Sequence, residues 1–179
     1  MELSGPDQWR RRALQLGADA ATPLDAAAVV VAEWVRMKCL FGCYAVGERR
    51  TCPPNLPAVS VTERLLSEYS RAILLEVGPL VGRERSSQAA RALNDVALAL
   101  ERDLFLAGYY RAWSMGAAPC ELCDACAQGA ECPTPEHARP SIEGCGVDVF
   151  ATARNAGRTI EVVRHEDDEY RFFALVLVD

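Results

Sequence analysis

A chain of 179 residues with 25 acidic and 19 basic side chains has the length of one domain and enough bulk to bury a core without disulfide staples. A net charge of −6 with no basic run longer than Arg10-Arg11-Arg12 argues against nucleic-acid binding, which draws on clustered cations. The longest unbroken apolar stretch, Ala26 to Ala32, is far shorter than the roughly 20 residues that span a bilayer. The opening run MELSGPD has neither the positive region nor the apolar stretch of a secretory signal, so a cytoplasmic protein is expected. Thiols stay free in that compartment unless they bind metal or do redox work. Eight cysteines are therefore the feature to explain.

In chain order, Asp7 is placed to cap a peripheral helix near 7–16, with Gly17 as its left-handed stop. The Val-rich run Ala26 to Val31 reads as a buried strand leading through Trp34 and Met37 to Cys39. Residues 39–57 hold three cysteines and three prolines and read as an irregular loop. Ser60 and Glu63 have the spacing of a capping box for a helix to about Tyr69. Ala72 to Val77, closed by Gly78-Pro79, is a second strand. A long helix follows from Ser86 or Ser87 to Gly108, with Leu93, Val96, Ala97, Leu100 and Leu104 on one face. Tyr109 to Ser114 reads as a strand that delivers the chain to Cys120. Val147 to Ala156 is a short helix closed by Gly157, and Thr159 to Val163 with Tyr170 to Val178 form a closing hairpin. The expectation is an α/β fold, with α+β as its variant: one domain over 1–179, a mixed β-sheet with flanking helices and metal-binding loops at 39–57 and 120–145.

The second cysteine group is Cys120-x2-Cys123-x2-Cys126-x5-Cys132-Pro133. Three thiolates at intervals of three let a wound loop reach three corners of a cube, and the fourth arrives before proline, as in iron-sulfur loops. The bacterial ferredoxin run has x3 before its last cysteine, so the two extra residues here must bulge. Four thiolates also satisfy a zinc tetrahedron, although zinc sites more often use two separated C-x2-C knuckles; disulfides or free thiols are the third reading. The first group is Cys39-x3-Cys43-x8-Cys52-Pro53, which lacks the C-x3-C-x2-C pattern of radical-SAM enzymes because Val46 stands at the third position. Cys145 lies outside both loops and either completes the first group or stands beside it as a functional thiol. The count favours two [4Fe-4S] clusters, with zinc the weaker alternative.

The blocks Cys39 to Pro54, Cys120 to Pro133, and Arg139 to Val149 with the sequence RPSIEGCGVDV resemble the three signature blocks of the DUF2284 family of predicted metal-binding proteins, over nearly the whole chain. The resemblance implies metal binding and supplies no substrate. The chain departs from the family pattern at Ile142, where Met is expected, at Ala45 in place of Gly, and at Pro133 in place of Arg.

Other residues have two readings. His137 is a ligand, a proton donor or an exposed loop residue; His165 sits in a charged turn. Arg139, Ser141, Glu143 and Asp148 line a pocket near Cys145, or Ser141 and Asp148 act as caps. Trp34 and Trp113 shield a cluster or belong to the core. Two functions follow. One is iron-sulfur chemistry on a small molecule or electron transfer with a donor protein, catalysis then being oxidoreduction or a cluster-dependent lyase or hydrolase reaction. The other is a non-catalytic metal-binding interaction module.

Overall fold

A computed structural model describes residues 3–126 and 132–179. Helix α1 (Pro6–Leu16) leads to strand β1 (Ala20–Asp25), and a 3-10 turn (Ala26–Ala28) to α2 (Glu33–Gly42). Then come α3 (Val59–Leu66), β2 (Arg71–Leu80), α4 (Ser86–Leu106) and β3 (Trp113–Met115), with α5 (Val149–Asn155) and β4 (Tyr170–Leu177) closing the chain.

The fold is α/β with flanking helices, as expected, and its sheet has the order β1-β2-β4-β3. Each ladder is antiparallel. Among the described residues parallel pairing is confined to one isolated bridge between Gly116 and Ser141, so the expected mixed sheet is corrected to an antiparallel one.

The continuous apolar run of β2 reflects a sheet covered on both faces. Ile73 and Leu75, with Ala174 and Val176 of β4, pack against Trp9, Leu93, Ala97 and Leu100 of α1 and α4. The alternate residues Ala72, Leu74, Leu175 and Leu177 face a second core with Met115, Ile142, Cys145 and Val147. All five predicted apolar positions of α4 are buried. The helical period thus faces one side of the sheet, and the block carrying Cys145 lies on the other. Glu76 is the exception in β2, a buried carboxylate paired with Arg158 at 2.7 Å and Arg171 at 3.1 Å, as a buried charge requires.

Several local expectations are corrected. The first strand is Ala20–Asp25, not Ala26 to Val31. Its Pro23 is tolerated because β1 is an edge strand, while Val31 makes only a single bridge, to Val147. Cys39 therefore sits on α2 and does not follow a strand. Asp7 lies in the first turn of α1 behind an N-cap at Gly5, and Gly17 closes the helix with φ of 114°. Ser60 falls inside α3, whose N-cap Ala58 gives no side-chain bond, so the capping box is not made. Thr159 to Val163 is not a strand. In place of a terminal hairpin, β4 enters the sheet between β2 and β3. The bulge expected between Cys126 and Cys132 falls on residues 127–131, outside the described residues.

Candidate metal centres

The block from Arg139 to Val149 is fixed first, because both cysteine loops are built around it. Gly116 N–H donates to Pro140 O at 2.8 Å and Ile142 N–H to Gly116 O at 2.9 Å, tying the block to the end of β3. Ala32 N–H donates to Gly146 O and Asp148 N–H to Val30 O, tying its other end to the approach of α2. Gly146 has φ of 86°, and a Cβ there would lie 2.8 Å from a Val59 methyl, so only glycine lets the turn close on α3. Arg139 Nε donates at 3.0 Å to Glu101, whose carboxylate also accepts from the Ser114 N–H at 2.7 Å and hydroxyl at 2.6 Å. Asp148 is a cap, accepting from Ala151 N–H at 3.0 Å, and Ser141 Oγ accepts from Gly144 N–H at 2.9 Å.

On this platform Arg36 of α2 donates to Gly144 O at 2.6 Å and to Pro57 O at 3.1 Å. That holds the last turn of α2 against the block, where the Cys39 thiol reaches Glu143 O at 3.8 Å. Cys39, Cys43 and Cys52 come together on the wall of an open cavity of about 440 Å3, which also touches Ser141, Glu143 and the first turn of α4. Cys145 lies beneath, buried in the second core and electrostatically in reach of Cys39. Burial raises the Cys52 thiol to about 11, with the neighbouring Cys43 and Cys39 adding to it, and raises Cys145 to about 12. Cys39 is raised for the same first reason, burial. Loss of solvation also lifts the Glu143 carboxyl to about 7 against its hydrogen bond with Ser141, although the residue as a whole is half-buried.

The second group is arranged differently. Cys120, Cys123, Cys126 and Cys132 line a cleft of about 20 Å3 closed by Arg49, Arg50 and Thr51, which belong to the loop carrying the first group. Arg49 donates to Cys123 O at 3.0 Å, Arg50 N–H donates to Cys126 Sγ at 3.3 Å, and Cys120 N–H donates to Thr51 Oγ1 at 3.4 Å. Tyr44 Oη reaches Glu121 at 3.3 Å. Burial raises the Cys120 thiol, with further upward contributions from Cys126, Cys132 and Cys123.

All eight cysteines are free thiols, none paired in a disulfide. Among the described residues no three His, Cys, Asp or Glu side chains converge as tightly as a single bound ion requires. The donor sets themselves are wholly thiol, soft ligands suited to iron-sulfur clusters or zinc. His137 is exposed and lines two grooves along α4, one of which Cys120 also lines. Trp34 is 47% exposed on α2, while Trp113 packs at the edge of the second core. Arg36, Arg49 and Thr51 were not singled out from the sequence, because what they touch is backbone far away in the chain.

A cysteine-rich α/β domain with two thiol groups has the make-up of a metal-binding protein. The family model described as a predicted metal-binding protein (DUF2284) matches residues 22–178, and the chain belongs to that family. Searches of the curated proteins and of the solved structures found no match for it. Among the described residues, no helix is long and apolar enough to cross a membrane.

Proposed function

We propose that the protein is an iron-sulfur protein with two [4Fe-4S] clusters, one held by Cys120, Cys123, Cys126 and Cys132, the other by Cys39, Cys43, Cys52 and Cys145. The observation that carries this reading is the pairing of two all-thiol donor sets on interlocked loops, one closed and one open to a cavity of about 440 Å3. Such clusters accept and release single electrons, with potentials set by hydrogen bonds to sulfur and by exposure to water.

The chain's own residues supply the rest. Arg49, Arg50 and Thr51 close the second group from water and give Cys126 a backbone N–H. Arg36 and the Arg139–Glu101 pair hold the platform under the first group. Ser141 and Glu143 meet the cavity, where a small molecule would find a hydroxyl and a carboxyl able to exchange a proton near neutral pH. The role is redox or cluster-based chemistry on a small molecule in that cavity, or electron transfer with a donor protein, in the reducing conditions of the cytoplasm.

The competing reading is a non-catalytic module with structural zinc, which the closed geometry of the second group favours, since structural zinc sites leave no open position. Anaerobic reconstitution followed by iron, sulfide and zinc analysis decides between them. About eight iron and eight sulfide per chain are expected for two cubanes; stoichiometric zinc without acid-labile sulfide would replace this reading with the structural one.

A further inference from the structure

The first and second thiol groups meet at one buried side chain. Thr51 is 8% exposed and sits immediately before Cys52. Its hydroxyl accepts the Cys120 N–H at 3.4 Å, and its peptide bond joins it to Cys52. One residue therefore links a cysteine of each group, Cys120 by a hydrogen bond and Cys52 by the backbone. The two residues before it complete the contact: Arg49 reaches Cys123 O, and Arg50 N–H reaches Cys126 Sγ. Three consecutive residues of the first loop thus bond three of the four cysteines of the second.

We propose that this bridge, with Thr51 at its centre, carries single electrons from the closed four-cysteine group to the open group on the cavity. The inference rests on the iron-sulfur reading above. An external one-electron donor of low potential, such as a reduced iron-sulfur or flavin carrier protein, reduces the Cys120–Cys132 centre by one electron. That centre is reoxidised as the Cys39–Cys52 centre gains the same electron, and no bond is made or broken. The direction follows from access. The second group is covered by residues 49–51, whereas the first group faces an open cavity of ligand size. Thr51 is a positioning residue in this scheme. Its hydroxyl sets the contact between the groups and does not itself react.

The test uses the full chain loaded anaerobically with iron and sulfide, with metal and sulfide content measured first. Cys43→Ser and Cys123→Ser each leave one group intact and supply the spectrum of each centre alone. The loaded protein is mixed with less than one equivalent of dithionite and frozen at intervals for electron paramagnetic resonance. Expected for the native chain is a common rate, with electrons settling between the two signals according to potential rather than arrival. Thr51→Val, which keeps the shape and loses the hydroxyl, should split the reduction into two phases at unchanged iron content, and Thr51→Ser should restore the common rate.

Two unrelated rates in the native chain overturn the proposal whatever the variants do. So does a Thr51→Val protein that keeps its iron and behaves as native. If Thr51→Val fails to hold iron, the native rates and the Thr51→Ser rescue still decide. Zinc without sulfide at the first step removes the iron-sulfur reading and the bridge with it; iron and sulfide with independent centres remove the bridge alone.

Discussion

The two thiol groups adjoin through residues 49–51 and differ in almost every physical respect. The four-cysteine group comes from a single short segment, with a cleft of about 20 Å3 capped by a piece of another loop. The first group draws Cys39 from a helix and Cys43 and Cys52 from the loop after it, with Cys145 buried below in the second core, and faces about 440 Å3 of open cavity. A site built from one segment owes its shape to what fills it, because the run CELCDACAQGAEC, mostly small and polar between its cysteines, has little apolar surface to offset the entropy of ordering. A site assembled from three elements of a packed core keeps its shape without a ligand. On the proposed iron-sulfur reading, the first arrangement would relay electrons and the second would serve a reaction that needs a visitor.

The largest expected effect follows from that difference. Cys123→Ala should remove about four of eight iron atoms and open the segment around Cys120 to Arg139 to protease, leaving α4 folded. Cys43→Ala should remove a similar share of iron while the platform under it stays protease-resistant. Limited proteolysis with mass spectrometry distinguishes the two, and equal protection of both loops in metal-free protein would show that packing orders the second group as well.

Next in size is the Glu101–Arg139 pair, whose side chains are 13% and 19% exposed. Arg139→Ala strands a carboxylate that also serves Ser114, and breaking a buried pair from one side costs about 3–5 kcal/mol. Urea unfolding of the metal-free variant should show a loss of that order. Because the pair anchors the block carrying Glu143 and Cys145, metal retention should fall more at the first group than at the second. A loss under 1 kcal/mol would mean that water already serves Glu101.

What could be read from the sequence divides along physical lines. The run Ala72 to Val77 and the apolar period of α4 are set by burial against a sheet, so periodicity finds them. Strand β1 escaped because Ala20, Ala21, Pro23 and Asp25 are residues depleted in strands; its conformation comes from pairing with β2. The run Val29 to Val31 looked like a strand because its valines are apolar, yet its partner is the turn at Val147. Each cysteine group was legible because ligand spacing is local. Their interlock was not, since it is made by a backbone N–H at Arg50, a carbonyl at Cys123 and a hydroxyl at Thr51, atoms whose partners no pattern along the chain reveals.

A smaller effect concerns two thiols of the first group in metal-free protein. A thiol raised to about 11, as at Cys52, holds roughly a hundredfold less thiolate at pH 8 than one at 9.0, and the thiolate is the nucleophile. Iodoacetamide should therefore label Cys52 slowly, with the rate still climbing well above pH 9, and Cys145, raised to about 12 and buried, last of all. Peptide mapping of the alkylated chain gives the order. Early labelling of Cys145 would show that the core beneath the open group breathes.

The smallest expected effect concerns Glu143, which tests whether the open group's floor is as dry as its burial implies. Its carboxyl is lifted from 4.5 to about 7 chiefly by loss of solvation. Between those values the folded chain holds a proton that the unfolded chain has released, so stability falls as pH rises through this window and levels above about 7. The contribution is fully present below 4.5 and is lost as the folded group ionises. Glu143→Gln removes that titration while keeping a polar side chain of the same length beside Ser141. Urea midpoints of metal-free protein measured from pH 5 to pH 8 should therefore decline less steeply in the variant, which gains relative to the native chain as pH rises. Parallel profiles would mean that water reaches the carboxyl and that the cavity floor is wet, leaving Glu143 an ordinary acid rather than a proton donor or acceptor near neutral pH.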